Sequence, residues 1–188
     1  MSKLLFQFLI VLTAQSQLIA QKSYHNTQPD NQLVWKSNYL LTWQDFEGTP
    51  ESHSMGDAGT AVKIKAQPYQ VKRKMFYEIN AIFLKDKSWY REQSPSLLAH
   101  EQLHFDIAEL YARKARKKVK ELAKRGVKDL KTYNNEVNKI LNESNYVDQQ
   151  YDAETLHGSM TKKQLEWKNK VMTELNALES YPAEPIAL

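Results

Sequence analysis

At Ser94-Pro95 the spacing of apolar residues changes from every second position to about every 3.6, so the chain must fold as two kinds of structure in succession. Before that point the signals are those of strands. Thr60 to Ala66 alternates, with Val62, Ile64 and Ala66 on one face and Lys63 and Lys65 on the other. Lys74 to Leu84 puts Tyr77, Ile79, Ala81 and Phe83 on one face and reads as the central strand of a small antiparallel sheet. Tyr39 to Trp43 is a further short strand candidate, and the Gly-, Pro- and Ser-rich stretch from Glu47 to Gly59 is a loop. Residues 21 to 32 read as an irregular N-terminal arm.

After that point the signals are helical. Ser94 is an N-cap and Pro95 stands at the first helical position. Leu97, Ala108, Ala112, Ala115, Val119 and Leu122 then form one stripe, closed by Lys124, Arg125 and Gly126. A second helix is expected from Asp129, burying Leu130, Tyr133, Val137, Ile140, Leu141 and Val147. A third is expected from Thr161, with Thr161 and Gln164 as a capping box and Leu165, Val171, Met172, Leu175 and Leu178 inward. Strands first and helices after predict an α+β fold, a small antiparallel sheet followed by a helical part.

Residues 1–20 do not belong to that pattern. Lys3, an apolar run from Leu4 to Leu12 and a small, polar stretch to Ala20 have the order of a secretory signal peptide. Cleavage after Ser16 or Ala20 would leave a single domain of about residues 21–188, secreted or periplasmic, with no stable membrane insertion. The chain has no cysteine, so disulfides are excluded and any metal site must use His, Asp and Glu. The net charge is +4, and the basic run from Arg113 to Lys128 reads as a solvated helix face; without interleaved aromatics it does not indicate nucleic-acid binding.

Within the first helix stands His100-Glu101-Gln102-Leu103-His104. Positions i and i+4 lie one above the other on a helix, so two imidazoles can reach one ion, and a glutamate at i+1 can reach a water on that ion. Zn²⁺ brings the pKa of such a water toward about 7, within range of a carboxylate base. Glu101 is therefore the expected general base, with His100 and His104 as ligands. Asp106 either orients a ligand or is solvated. For the third ligand, His157 is favoured, because Gly158 lets the chain turn and present it; Glu154 and Asp152 compete, then Glu121, Glu136 and Glu143. His25 falls in the arm and His53 in a loop. Tyr151 is either a donor to the oxyanion or, more commonly for its kind, a buried core residue.

Five segments resemble the secreted bacterial proteins grouped as domain of unknown function 922, described as zinc-dependent proteases. They are Trp43-Gln44-Asp45-Phe46, Ser88-Trp89, Leu98 to Asp106, Tyr151-Asp152 with Thr155-Leu156-His157-Gly158, and Gln164 with Trp167. The resemblance spans about Trp35 to Val171. It implies an exported, zincin-like metallopeptidase and favours His157 as third ligand. It also implies that Trp43, Asp45, Phe46, Ser88 and Trp89 are structural. The expected activity is hydrolysis of a peptide or protein substrate, with the strand Lys74–Leu84 offering an edge for an extended peptide. A cell-wall amidase with the same zinc chemistry, and a non-catalytic periplasmic domain stapled by zinc, are the alternatives.

Overall fold

A computed structural model describes residues 29–50 and 56–188. The expected leader, His25 and His53 lie outside the described residues.

The spine of the sheet is β4, Lys74–Leu84, whose Tyr77, Ile79, Ala81 and Phe83 are all buried on one face as their alternation predicts. β3, Val62–Val71, pairs with it antiparallel over its whole length. The opposite side of β4 is shared by β1, Gln32–Val34, and the C-terminal β6, Ile186–Ala187. β4 is thus an interior strand and offers no edge to a peptide, contrary to the expectation; the edge belongs to β3. A separate two-stranded pair joins β2, Ala58–Gly59, to β5, Trp89–Tyr90.

Three short segments depart from the sequence reading. Tyr39–Trp43 is not a strand: a 3-10 turn spans Trp43–Asp45, where Asp45 accepts the Thr42 N–H and both Thr42 and Tyr39 hydroxyls. Those side-chain bonds satisfy the backbone locally and compete with a ladder. The expected arm ends earlier, since Gln32 already pairs with Leu84. β3 continues past Ala66 through Pro68. Leu84 N–H bonds Ala61 C=O, so odd-numbered residues of β3 point their backbone groups at β4. Pro68 falls on the outward set, where a missing N–H costs the ladder nothing.

Helix α1, Pro95–Lys124, starts where Ser94 Oγ accepts the Leu97 N–H at 3.1 Å and ends before Gly126 at φ +72°. It is buried on two faces. Phe105, Ala108, Ala112, Ala115 and Val119 meet the sheet in one core. Leu103, Ile107, Leu110 and Tyr111 meet Tyr151, Trp167, Val171 and Leu175 in the other. Helix α2, Leu130–Thr155, is capped by Asp129, which accepts the Lys131 and Thr132 N–H groups.

Helix α3, Thr161–Ala177, lacks the expected capping box; Met160 holds the cap position without a side-chain bond, and Gln164 turns inward instead. Its buried face is Trp167, Val171 and Leu175, a strict i, i+4, i+8 row. Leu165 and Met172 lie off that row and are exposed, not inward as expected. Among the described residues no helix is long and apolar enough to cross a membrane.

Candidate metal centre

The second and third turns of α1 meet the C-terminal part of α2, and there the chain's polar groups converge. His100, Glu101 and His104 are each buried, at 2, 2 and 6 % exposure. On α2, Asp148, Tyr151 and Asp152 sit at i, i+3 and i+4 and so share the face toward α1.

The two Nε2 atoms of His100 and His104 stand 3.3 Å apart, and Asp152 Oδ1 lies 3.1 Å from each. Four ligands at about 2.0–2.1 Å in a tetrahedron stand about 3.3 Å from one another, so this triangle has the spacing of three ligands on one ion. Its chemistry agrees, two imidazoles and a carboxylate.

The other ring nitrogens are spoken for. Asp148 Oδ1 lies 2.6 Å from His104 Nδ1, and an ionised carboxylate only accepts, so Nδ1 carries the proton. His100 Nδ1 faces Gln164 Oε1 at 3.2 Å, an oxygen that also accepts the Tyr151 hydroxyl at 2.8 Å. Both imidazoles are thereby turned to present Nε2 to the shared point, the arrangement that outer partners impose on metal-binding histidines. Tyr151 stacks against His100 at 4.8 Å between ring centroids and meets His104 edge-on at 4.9 Å.

Charge follows geometry. Burial would lower His104, but hydrogen bonds to Asp148 and Asp152 outweigh it and push the imidazole up to about 10. Burial would raise Asp152, yet bonds from His100 and His104 hold it well below the usual carboxylate range. Burial pushes the Tyr151 phenol up, which keeps it a neutral donor.

Glu101 stands apart from these bonds. Its Oε2 is the one buried side-chain polar atom among the described residues without a hydrogen-bond partner. A buried carboxylate oxygen left without any partner costs about 1–3 kcal/mol, and no protein group supplies one here, so its partner must come from the cleft. The residue lines a cleft of about 500 Å³ whose floor is His100, His104 and Asp152 and whose wall is the run from Gly56 to Ala61 with Trp89.

Of the residues expected from sequence, His100, Glu101 and His104 line one cleft, and Asp152, one of the candidates competing for third ligand, forms with the two histidines a group that could hold a metal ion. His157 lies on the cleft rim, its side chain 62 % exposed and Nδ1 3.5 Å from Asp152 Oδ1. Leu156, His157 and Gly158 are consecutive left-handed residues at φ +47°, +51° and +84°. The remaining candidates are engaged elsewhere: Glu154 with Trp167 and Gln150, Glu143 with Tyr111, Glu136 with Lys139 and Glu121 with Lys118.

Asp106 neither orients a ligand nor stands free in solvent; it accepts the Trp35 Nε1–H at 2.8 Å and the Gln102 amide at 2.9 Å, pinning the N-terminal segment to α1. Tyr151 is a core residue behind the imidazoles and does not line the cleft. Asp45 caps its turn, Phe46 and Trp43 pack together, and Ser88 Oγ joins Ala61 N–H to Leu84 C=O. Trp89 has a double part, since it is buried and also walls the cleft. Sequence reasoning did not single out Asp148, although its spacing of three and four from Tyr151 and Asp152 carried the signal, and it took Gln164 for a cap.

Residues 20–158 match the family model described as "Bacterial protein of unknown function (DUF922)". No curated protein and no solved structure matches the chain. The matched stretch holds His100, Glu101, His104, Asp148, Asp152 and His157 and ends at Gly158, so Gln164 and Trp167 lie beyond it.

Proposed function

We propose, for a chain that belongs to the bacterial family of unknown function DUF922, that this centre binds zinc and hydrolyses a peptide bond. The observation that carries the reading is the unpartnered, buried Glu101 oxygen beside two imidazoles whose Nε2 atoms converge. His100, His104 and Asp152 would hold the ion. A zinc ion there would supply a Lewis acid that acidifies water and polarises the carbonyl under attack.

The chain's own groups do the rest. Glu101 Oε2 takes a proton from the attacking water and delivers it to the departing amine. Asp148 and Gln164 keep the imidazoles oriented by holding their Nδ1 protons. Thr60 Oγ1 reaches the Glu101 carbonyl at 3.5 Å, tying the cleft wall to the helix turn that bears the base.

The Glu101→Gln variant is expected to bind zinc as the parent does and to lose about 10²–10⁴-fold in kcat/KM on any substrate the parent cleaves. Cleavage at the parental rate would remove Glu101 from its role. A cell-wall amidase would use the same groups, so a screen of proteins, peptides and peptidoglycan fragments separates the two.

A second reading, a structural ion with four protein ligands, draws on His157, whose Nδ1 is 3.5 Å from Asp152 Oδ1. It requires zinc loss from His157→Ala, together with unfolding of the metal-free protein and no hydrolysis in the screen. The leader read from residues 1–20 supports an exported location, secreted or periplasmic. Protein recovered from a bacterial periplasm is expected to start at Gln17 or Gln21, as N-terminal sequencing would reveal.

A further inference from the structure

The cleft does not end at the metal centre. His104 and Asp148 form a wall common to the cleft and to a second cavity of about 270 Å³ between β3, α1 and α2. Ile64, Ile107, Ala108 and Leu141 give that cavity its apolar lining, and Lys63, Ser144 and Asn145 add to the polar part that His104 and Asp148 begin. Its volume falls below the roughly 300–1,000 Å³ of sites for whole small ligands and suits a single side chain.

One stretch of backbone walls both cavities, residues 56–61 along the cleft and 62–64 along the second cavity. That stretch runs onto β3, the edge strand of the sheet among the described residues. Because Ala61 C=O bonds Leu84 N–H, Val62 and Ile64 point their own N–H and C=O groups away from β4. A chain laid along this edge would find main-chain partners there and pass the metal centre as it did so.

We infer that the second cavity is a specificity pocket: it takes an apolar side chain, of leucine to phenylalanine size, from the substrate residue next to the cleaved bond, while the edge at Val62–Ile64 holds the substrate's backbone. This inference rests on the hydrolase reading above and adds the substrate class, extended polypeptides with a bulky apolar residue at the cleavage site.

The test uses binding to the zinc-loaded protein and does not depend on turnover. Four peptide hydroxamates serve as probes, with leucine or glycine beside the hydroxamate and the hydroxamate at either the amino or the carboxyl end. In one of the two orientations the leucine compound is expected to bind at least tenfold more tightly than its glycine counterpart. Ala108→Phe, which fills the cavity, should narrow that ratio to within about twofold. Because Ala108 also packs against the sheet, Leu141→Trp, at a half-buried position lining the same cavity, is the second variant, with the same expected narrowing.

Equal affinities for leucine and glycine in both orientations would overturn the inference while leaving the metal reading in place. So would a leucine preference that survives in the folded variants. Failure of all four hydroxamates to bind would overturn the open metal site and the inference together.

Discussion

A methyl group on Gly158 would sit 3.0 Å from both Cβ and Cγ of His100, and the residue's φ of +84° is one that side chains resist. Gly158→Ala is therefore expected to cost on the order of 1–3 kcal/mol in denaturant unfolding. It should also weaken zinc binding by displacing the imidazole. The ligand set gives the sharper test. Asp152→Ala should abolish stoichiometric zinc in metal analysis, whereas His157→Ala should retain it; the reverse pattern would restore the sequence's first choice of third ligand. Asp148→Asn should lower zinc affinity by about 10–100-fold, the usual loss when an outer partner of a ligating histidine is changed.

The same residues set a pH dependence. In the metal-free protein His104 titrates at about 10, above its ordinary 6.5. A raised cationic group stabilises the fold fully below its unfolded pKa, and that stability is lost as pH climbs through about 10. At neutral pH an incoming ion must displace that proton. Zinc affinity should therefore rise about tenfold per pH unit below that point, with about one proton released, measurable by calorimetry in buffers of different ionisation enthalpy.

At the scale of elements, α1 is held by a buried charge group as well as by apolar contact. Arg116 is fully buried; its Nε donates to Ile79 C=O in β4, and its Nη atoms donate to both Glu109 oxygens and to Tyr181 C=O. Removing one member leaves the other buried and unpaired, so Glu109→Ala should destabilise the protein by about 3–5 kcal/mol in chemical denaturation. The long elements were legible beforehand because their periodicity repeats: β4 over eleven residues and α1 over thirty. β1, β2, β5 and β6 have two or three residues each, too few to show any period. Tyr39–Trp43 looked like a strand by residue type, and the Asp45 side chain took its place in the bonding. On α3 the row through Leu165 and Met172 is broken by Lys168, Asn169 and Asn176, whereas Trp167, Val171 and Leu175 follow one another without a polar residue and pack on Tyr151 and Leu110.

For the molecule as a whole, the centre joins α1 to α2 directly and reaches α3 through Gln164, so an ion bound there clamps the helical layer. If the ion is zinc, as proposed above, a hundredfold excess over Kd would add about 2.7 kcal/mol to stability, and chelation should lower Tm by roughly 5–10 °C for a domain of this size. A thermal melt that chelator leaves unmoved would argue against the site. The α+β class, the position of α1 and the pairing of His100, Glu101 and His104 followed from residue order alone, because helix and strand periods are local and an i, i+4 pair needs only one turn to meet. The third member of the triangle did not. Asp152 stands 48 residues from His104, and its approach depends on how α2 docks against α1, a result of the packing of the whole core. Asp152 and His157 are five residues apart in sequence, yet Asp152 is still on the face of α2 toward α1, whereas the left-handed turn at Leu156–Gly158 leaves the imidazole at the rim. Local chemistry ranked histidine above aspartate as a zinc ligand; the direction in which a helix ends is a property of the assembled fold.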